Sequence, residues 1–120
     1  MKKILALVTS SLITATVFAQ TKIPVDSASK HIGEKVVVCS EVYGVKSLDK
    51  VTFINLGASY PNSPLTIVIF AKDLPNFKES PEKLYGNQPI CVTGELKEYK
   101  GKAEIIVERP DEIVVGNSKW

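Results

Sequence analysis

The chain is short of the residues that most catalysis and most polyanion binding require. It holds one Arg, Arg109, and one His, His31. With no second His anywhere, and no Cys or carboxylate at ligand spacing beside it, His31 is not expected to hold zinc. A lone Arg excludes a phosphate clamp built from two guanidiniums. Asp26, Asp49, Asp73 and Asp111 are scattered over different loops and form no calcium pair. There is no Gly-rich phosphate cradle, no Ser-His-Asp set and no zinc motif. The two cysteines, Cys39 and Cys91, are far from C-x-x-C spacing, which argues against redox catalysis. Internal repeats, low-complexity tracts and linkers are lacking as well. Catalysis is therefore not expected, no metal site is foreseen, and no cofactor is implied.

Long apolar runs are also lacking, with one exception at the start. Met1, Lys2 and Lys3 precede an apolar stretch from Ile4 to Ala19. A basic start, a short apolar centre and small residues at Val17 and Ala19 describe a secretory signal peptide cut before Gln20. The alternative is a membrane anchor. A spanning helix needs about 20 strongly apolar residues, whereas Thr9, Ser10, Ser11, Thr14 and Thr16 dilute this run. The expected organisation is a signal peptide at 1–19 and one domain at 20–120, with a periplasmic or secreted address and no stable membrane insertion once the signal is removed. Cleavage removes Lys2 and Lys3. The basic count then falls from 15 by two and equals the 13 acidic residues. A neutral domain gains little from counterion release on nucleic acid.

What the mature region does hold is five short apolar runs: VVVCSEV, VTFINLG, LTIVIF, PICVTGEL and AEIIVERP. Alternation sorts their residues onto two faces. In the first run Val36, Val38, Ser40 and Val42 face one way, and Val37, Cys39 and Glu41 the other. Gly44 to Lys50 reads as a loop. In the second, Thr52, Ile54 and Leu56 suit an interior, leaving Phe53 and Asn55 outside. In the third, Leu65, Ile67 and Ile69 form the better core face, with Thr66, Val68 and Phe70 opposite. Ile90, Val92 and Gly94 alternate with Cys91, Thr93 and Glu95 in the fourth. Tyr99-Lys100-Gly101-Lys102 reads as a hairpin turn, Ala103 to Glu108 as the fifth strand, and Ile113 to Val115 as a further pairing segment.

Two stretches are not strand-like. Thr21 to Gly33 suggests a short lead-in helix, with Asp26 as N-cap, Ser27 to Ile32 as a turn or two and Gly33 as the stop. His31 then sits in its last turn as an ordinary helix residue, the alternative being a ligand or base. Asp73 to Asn87 suggests a short helix or two, capped by Ser80 before Pro81, with Leu74, Phe77 and Leu84 tucked beneath.

Three strands, a helical insert and two more strands is the order of the OB-fold, an all-β, five-stranded Greek-key barrel. HIGEKVVVC, TFINLG, YPN, ICVTGEL and YKGKAEIIV resemble the small secreted bacterial OB-fold proteins described as DNA-binding. They are also similar to the anticodon-binding OB domains of some aminoacyl-tRNA synthetases. In those domains a Phe on the second strand stacks on a base and a buried Leu follows three residues later. TFINLG offers Phe53 and Leu56 at that spacing. The resemblance implies a ligand surface on the second and third strands, with Phe53 stacking and Asn55 hydrogen-bonding. Thr66 and Phe70 would share it, flanked by Tyr43, Tyr99 and Lys100.

Packing is the competing role for each ring, because Phe and Tyr are often half-buried under loops. Lys100 and Lys102 equally suit an ordinary solvated hairpin. In an OB barrel the first and fourth strands pair antiparallel, so Cys39 and Cys91 could bond across one ladder on the outer wall. Two reduced thiols under the insert are the alternative. The expected function is an exported binding module, not an enzyme, for single-stranded DNA or RNA or a similar extended ligand. The alternative is an envelope protein as partner, with the barrel as an interaction or envelope-stress scaffold. Outward Glu41, Glu95, Glu104 and Glu108 favour that alternative.

Overall fold

The computed structural model describes residues 20–116; the signal-peptide expectation for residues 1–19 and the terminal Trp120 lie outside the described residues. The chain opens with β1 (Thr21–Lys22) and a 3-10 turn over Val25–Lys30. It continues through β2 (Lys35–Ser47), β3 (Val51–Leu56) and β4 (Leu65–Phe70). A 3-10 turn at Ala71–Asn76 and the short helix α1 (Pro81–Tyr85) follow. Next come β5 (Pro89–Glu95), β6 (Lys97–Tyr99), β7 (Lys102–Ile106), a 3-10 turn at Pro110–Glu112 and β8 (Ile113–Val115).

All strands join one sheet in the order β6-β7-β4-β3-β2-β5-β8, with β1 parallel to the start of β2. The described residues are thus mostly β with few helices, and they form eight strands instead of the five expected from sequence. The extra pieces have local causes. Leu96, fully buried, separates β5 from β6 because its backbone turns aside: its N–H donates to the Glu34 carbonyl at 2.9 Å, and its carbonyl accepts from Gly33 at 2.7 Å. β6 then forms a hairpin with β7, so the edge strand β6 brings the sheet round toward β5.

The first long strand differs most from expectation. Gly44 does not begin a loop; β2 runs on to Ser47 and pairs with β3 through its second half and with β5 through its first. The register slips between Val42 and Val45, where Gly44 takes φ +152. A bulge at a residue without a Cβ bends the strand and lets one element serve both walls. The lead-in segment is also corrected. Pro24, not Asp26, occupies the N-cap, and no side chain caps the turn. In the insert, Lys83 N–H does donate to Ser80 Oγ at 3.4 Å.

The interior follows the alternation. Val36, Val38, Ile54, Leu56, Leu65, Ile67, Ile69, Ile90, Val92 and Ile105 are wholly removed from solvent. Phe77 and Tyr85 meet edge-on at 6.4 Å and pack against the same cluster, with Leu74 and Leu84 partly buried beside them. Gly94 marks a close approach of β5 to β7: a Cβ there would lie 2.6 Å from Ile105 Cγ2. Ile105 is fully buried and cannot swing away. Gly94→Ala should therefore lower stability by about 1–3 kcal/mol, the usual cost of overpacking, read as a reduced denaturant midpoint with unchanged slope.

Cys39 and Cys91 are direct cross-strand partners in the β2–β5 ladder and are joined by a disulfide. They lie on the outer register, as their alternation with Val38 and Val92 requires. The bond closes a loop 52 residues in separation, worth about 4 kcal/mol on the chain-entropy estimate. Replacing both cysteines with Ser should lower unfolding stability by about that amount, measured by urea titration against the oxidised protein.

Candidate nucleic-acid interface

Strand register assembles a continuous outer face on β2, β3, β4, β7 and β6. One row across the strands is Lys46–Phe53–Val68–Ile106, and the next is Asn55–Thr66–Glu104–Lys97. Val51 pairs with Phe70 at one end of the face, and Lys102 with Tyr99 at the other. Residues in directly paired positions point to the same side of the sheet. The first row is apolar at its centre. Val68 is only 3% exposed although it lies outside the interior cluster, and Phe53 and Ile106 beside it are half-buried.

Rings and cations edge this strip. Phe70, Tyr43 and Tyr99 are exposed, and Tyr60 is the most exposed of all at 80%. Tyr43 stands at the bulge opposite the end of β3, Tyr60 lies in the loop from β3 to β4, and Tyr99 ends β6. The parallel start of β4 and β7 puts those last two segments side by side: Lys102 Nζ donates to the Pro61 carbonyl at 3.3 Å. Lys100 Nζ sits 5.4 Å from the Tyr99 ring centre, a cation–π contact that engages the ring. Lys46, Lys97, Lys100 and Lys102 are all exposed on or beside the face.

The expected site residues thus fall on one side of the barrel, with one change of role. Asn55 is not an open hydrogen-bonding group. It is 7% exposed, and its Oδ1 accepts from both Ser63 Oγ and Thr66 Oγ1, each at 3.2 Å. This network ties the β3–β4 loop to the sheet. Buried carboxamides need such partners, and the loop supplies them from a sequence distance that alternation does not reveal. Tyr60 was not foreseen, although its place in a Pro-flanked turn is a signal of exposure.

Glu104 also differs from expectation. It lies on the outer face but is half-buried, and loss of solvent raises its pKa above the ordinary glutamate value. No charged or hydrogen-bonding partner contributes to that shift. Lys97, its cross-strand partner, is exposed and forms no ion pair with it among the described residues.

A second concavity of about 610 Å³ opens beyond Ile106, between the end of β5 and the segment after β7. Lys35 and Arg109 line it, against the carboxylates of Glu95, Glu108, Asp111 and Glu112. Arg109 Nε donates to Asp111 at 3.1 Å, and Glu112 Oε1 accepts from the backbone N–H of Glu108 and Arg109. The balance is acidic and repels phosphate. His31 is outside both regions, at the end of its 3-10 turn with Nδ1 3.0 Å from Glu34 Oε2. No helix among the described residues is long and apolar enough to cross a membrane.

No family model matches the chain, and no curated protein matches it. Solved structures do. OBody AM2EP06 bound to hen egg-white lysozyme superimposes with a TM-score of 0.56 at 16% identity, over 86% of this chain and 99% of that one. Asparaginyl-tRNA synthetase from Pyrococcus horikoshii gives 0.54 at 20% identity over 78% of this chain. The Stn1-ten1 complex of S. pombe gives 0.54 at 10% identity, over 70% of this chain and 59% of that one. The fold is an OB-fold. This chain spans only 22% of the synthetase, so the likeness is to one domain of it. In an OB barrel the face of the second and third strands with the adjoining loops is the usual ligand surface, and here that surface is the side built on β3 and β4.

The Glu104 shift has a sign that can be checked. A carboxyl whose folded pKa is raised binds its proton more tightly folded than unfolded. Stability therefore falls as pH rises from the ordinary glutamate range through the raised value, and stays lower above it. Glu104→Gln should raise the melting temperature at pH near 8, and the gain should vanish near pH 4, measured by thermal unfolding at both values.

Proposed function

We propose that the protein is an exported OB-fold binding module for single-stranded nucleic acid or a similar extended ligand, and not an enzyme. On this reading residues 1–19 are removed on export, and the domain at 20–120 works in the periplasm or outside the cell. The disulfide supports an oxidising address. The barrel is read as five-stranded, with β5 and β6 taken as one strand interrupted at Leu96, β1 and β8 as additions, and α1 in the insert between the third and fourth barrel strands.

The observation that carries the reading is the outer face itself. Phe53 and Phe70 on the strands and Tyr43, Tyr60 and Tyr99 at the rim offer rings on one side of the sheet, with Lys46, Lys97, Lys100 and Lys102 among them. Rings that take base faces, with lysines tracking the backbone, are what sequence-tolerant single-strand binding requires. The similarity to a domain of a tRNA synthetase supports it. The neutral charge of the mature region points to weak, salt-sensitive binding with few phosphate contacts.

A second reading has its own observation. Val68 and Ile106 make the centre of the face apolar, and OBody AM2EP06, of the same fold, is bound to a protein. An envelope protein docked on this face is therefore the alternative partner.

Fluorescence anisotropy of the mature protein with labelled oligonucleotides at low salt separates the two. Micromolar binding is expected, and Phe53→Ala should weaken it about tenfold, within the range for loss of one stacking ring. Absence of binding at high protein concentration, or binding indifferent to Phe53→Ala, would exclude the nucleic-acid reading and leave the protein partner.

A further inference from the structure

Glu104 is the one acid in the two rows of a face otherwise built of rings, aliphatic side chains, lysines and the uncharged polar groups of Asn55 and Thr66. Ala103 and Ile105 on either side of it are buried in the barrel, so alternation directs Glu104 outward. Thr66 is its direct partner on β4 and Lys97 its partner on β6. Val68 and Tyr99 are its diagonal neighbours, at the roughly 7–8 Å spacing that aromatic and long side chains bridge. An unpaired carboxylate partly withdrawn from water costs free energy and contributes nothing to the fold. Such a group at the middle of a binding face fits a role in recognition.

Of its two direct cross-strand partners, Lys97 is a cation and Thr66 carries a hydroxyl. Thr66 and Ser63 direct their hydroxyl hydrogens to Asn55 Oδ1. Thr66 Oγ1 therefore offers the face lone pairs, and Glu104 offers two acceptor oxygens. Thr66 and Glu104 thus put acceptors side by side next to stacking surfaces, with the Lys97 cation on the other flank.

Resting on the nucleic-acid reading above, we infer that Glu104 is the base-selecting residue of this interface, favouring bases whose pairing edge carries amine donors over thymine or uracil. Guanine fits best, because its ring N–H and exocyclic amine lie side by side and suit both carboxylate oxygens. Cytosine and adenine each present one exocyclic amine. Thymine and uracil present one ring N–H between two carbonyls, and those carbonyls face a carboxylate unfavourably. A carboxylate accepting from an exocyclic amine is an established mode of base readout, and single strands expose these edges. A base stacked on the free side of Tyr99 or laid over Val68 would bring its edge to Glu104.

The test uses the mature, oxidised protein and labelled oligomers of about ten nucleotides, a length within the usual OB site size. The probes are homopolymers of deoxycytidine, deoxyadenosine and thymidine, and an alternating thymidine–deoxyguanosine strand. The guanine-bearing strand should bind most tightly and the thymidine homopolymer about tenfold more weakly. Glu104→Gln has an acceptor and a donor, which suit thymine, so it should narrow that ratio to about twofold by weakening the guanine-bearing strand and strengthening the thymidine homopolymer. Equal affinity of the parent protein for all four probes would overturn the inference. So would a preference that survives in Glu104→Gln, or one that runs toward thymidine. Binding of no probe would overturn the nucleic-acid reading and this inference together. Binding without the Glu104-dependent ratio would overturn only this one.

Discussion

One strand holds the two walls of this barrel together. β2 pairs with β5 through Lys35–Glu41 and with β3 through Val42–Ser47, and the bulge at Tyr43–Gly44 turns it from one ladder to the other. Without that bend the two ladders could not share a strand, because a straight thirteen-residue strand would keep a single curvature. The disulfide lies on the first ladder and the candidate face begins on the second. The same bulge presents Tyr43 at the rim. Closure of the fold and the edge of the candidate site thus follow from one local distortion.

The barrel leaves its two surfaces with different work. The inner surface is filled by aliphatic side chains wholly removed from solvent. The outer surface over β3, β4 and β7 is free to be chemically mixed, and it is: an apolar row, a polar row and a rim of rings. In that mixture Glu104 and Asn55 are opposites. Asn55 is satisfied within the chain by two hydroxyls, so it stabilises the loop and offers little to a ligand. Glu104 has no such partner, and partial burial raises its pKa above the ordinary glutamate value. The acidic concavity beyond Ile106 bounds the face on one side and would repel a phosphate backbone extended past it.

Much of the scaffold is legible in the order of residues. Val36, Val38, Ile54, Leu65, Ile67 and Ile69 are assigned to the interior by period two alone, because a strand with one buried face permits no other register. Cys39 and Cys91 fall on matching outer positions for the same reason. The hairpin at Lys100–Gly101 is announced by its turn residues. Less legible was everything that depends on segments far apart meeting. Gly44 reads as a stop when only its neighbours are considered, and becomes a bulge when β3 and β5 lie on either side. Val68 alternates outward, yet Phe53 and Ile106 on neighbouring strands leave it almost no solvent. Tyr60 and Tyr99 belong to one rim only because β4 and β7 start in parallel.

By itself the sequence determined which side of each strand faces the core, where most of the turns lie, and that all but one of its 15 basic residues are lysines. Those are properties of short windows, governed by strand periodicity, turn chemistry and composition. The tertiary structure decided which outward residues are open and which are enclosed. Solvent exposure on a curved sheet is set by cross-strand neighbours, and so are the partners of Asn55 and the isolation of Glu104. Whether a polar side chain is a fold contact or a recognition group depends on what the other strands place beside it, and no single window of sequence contains that.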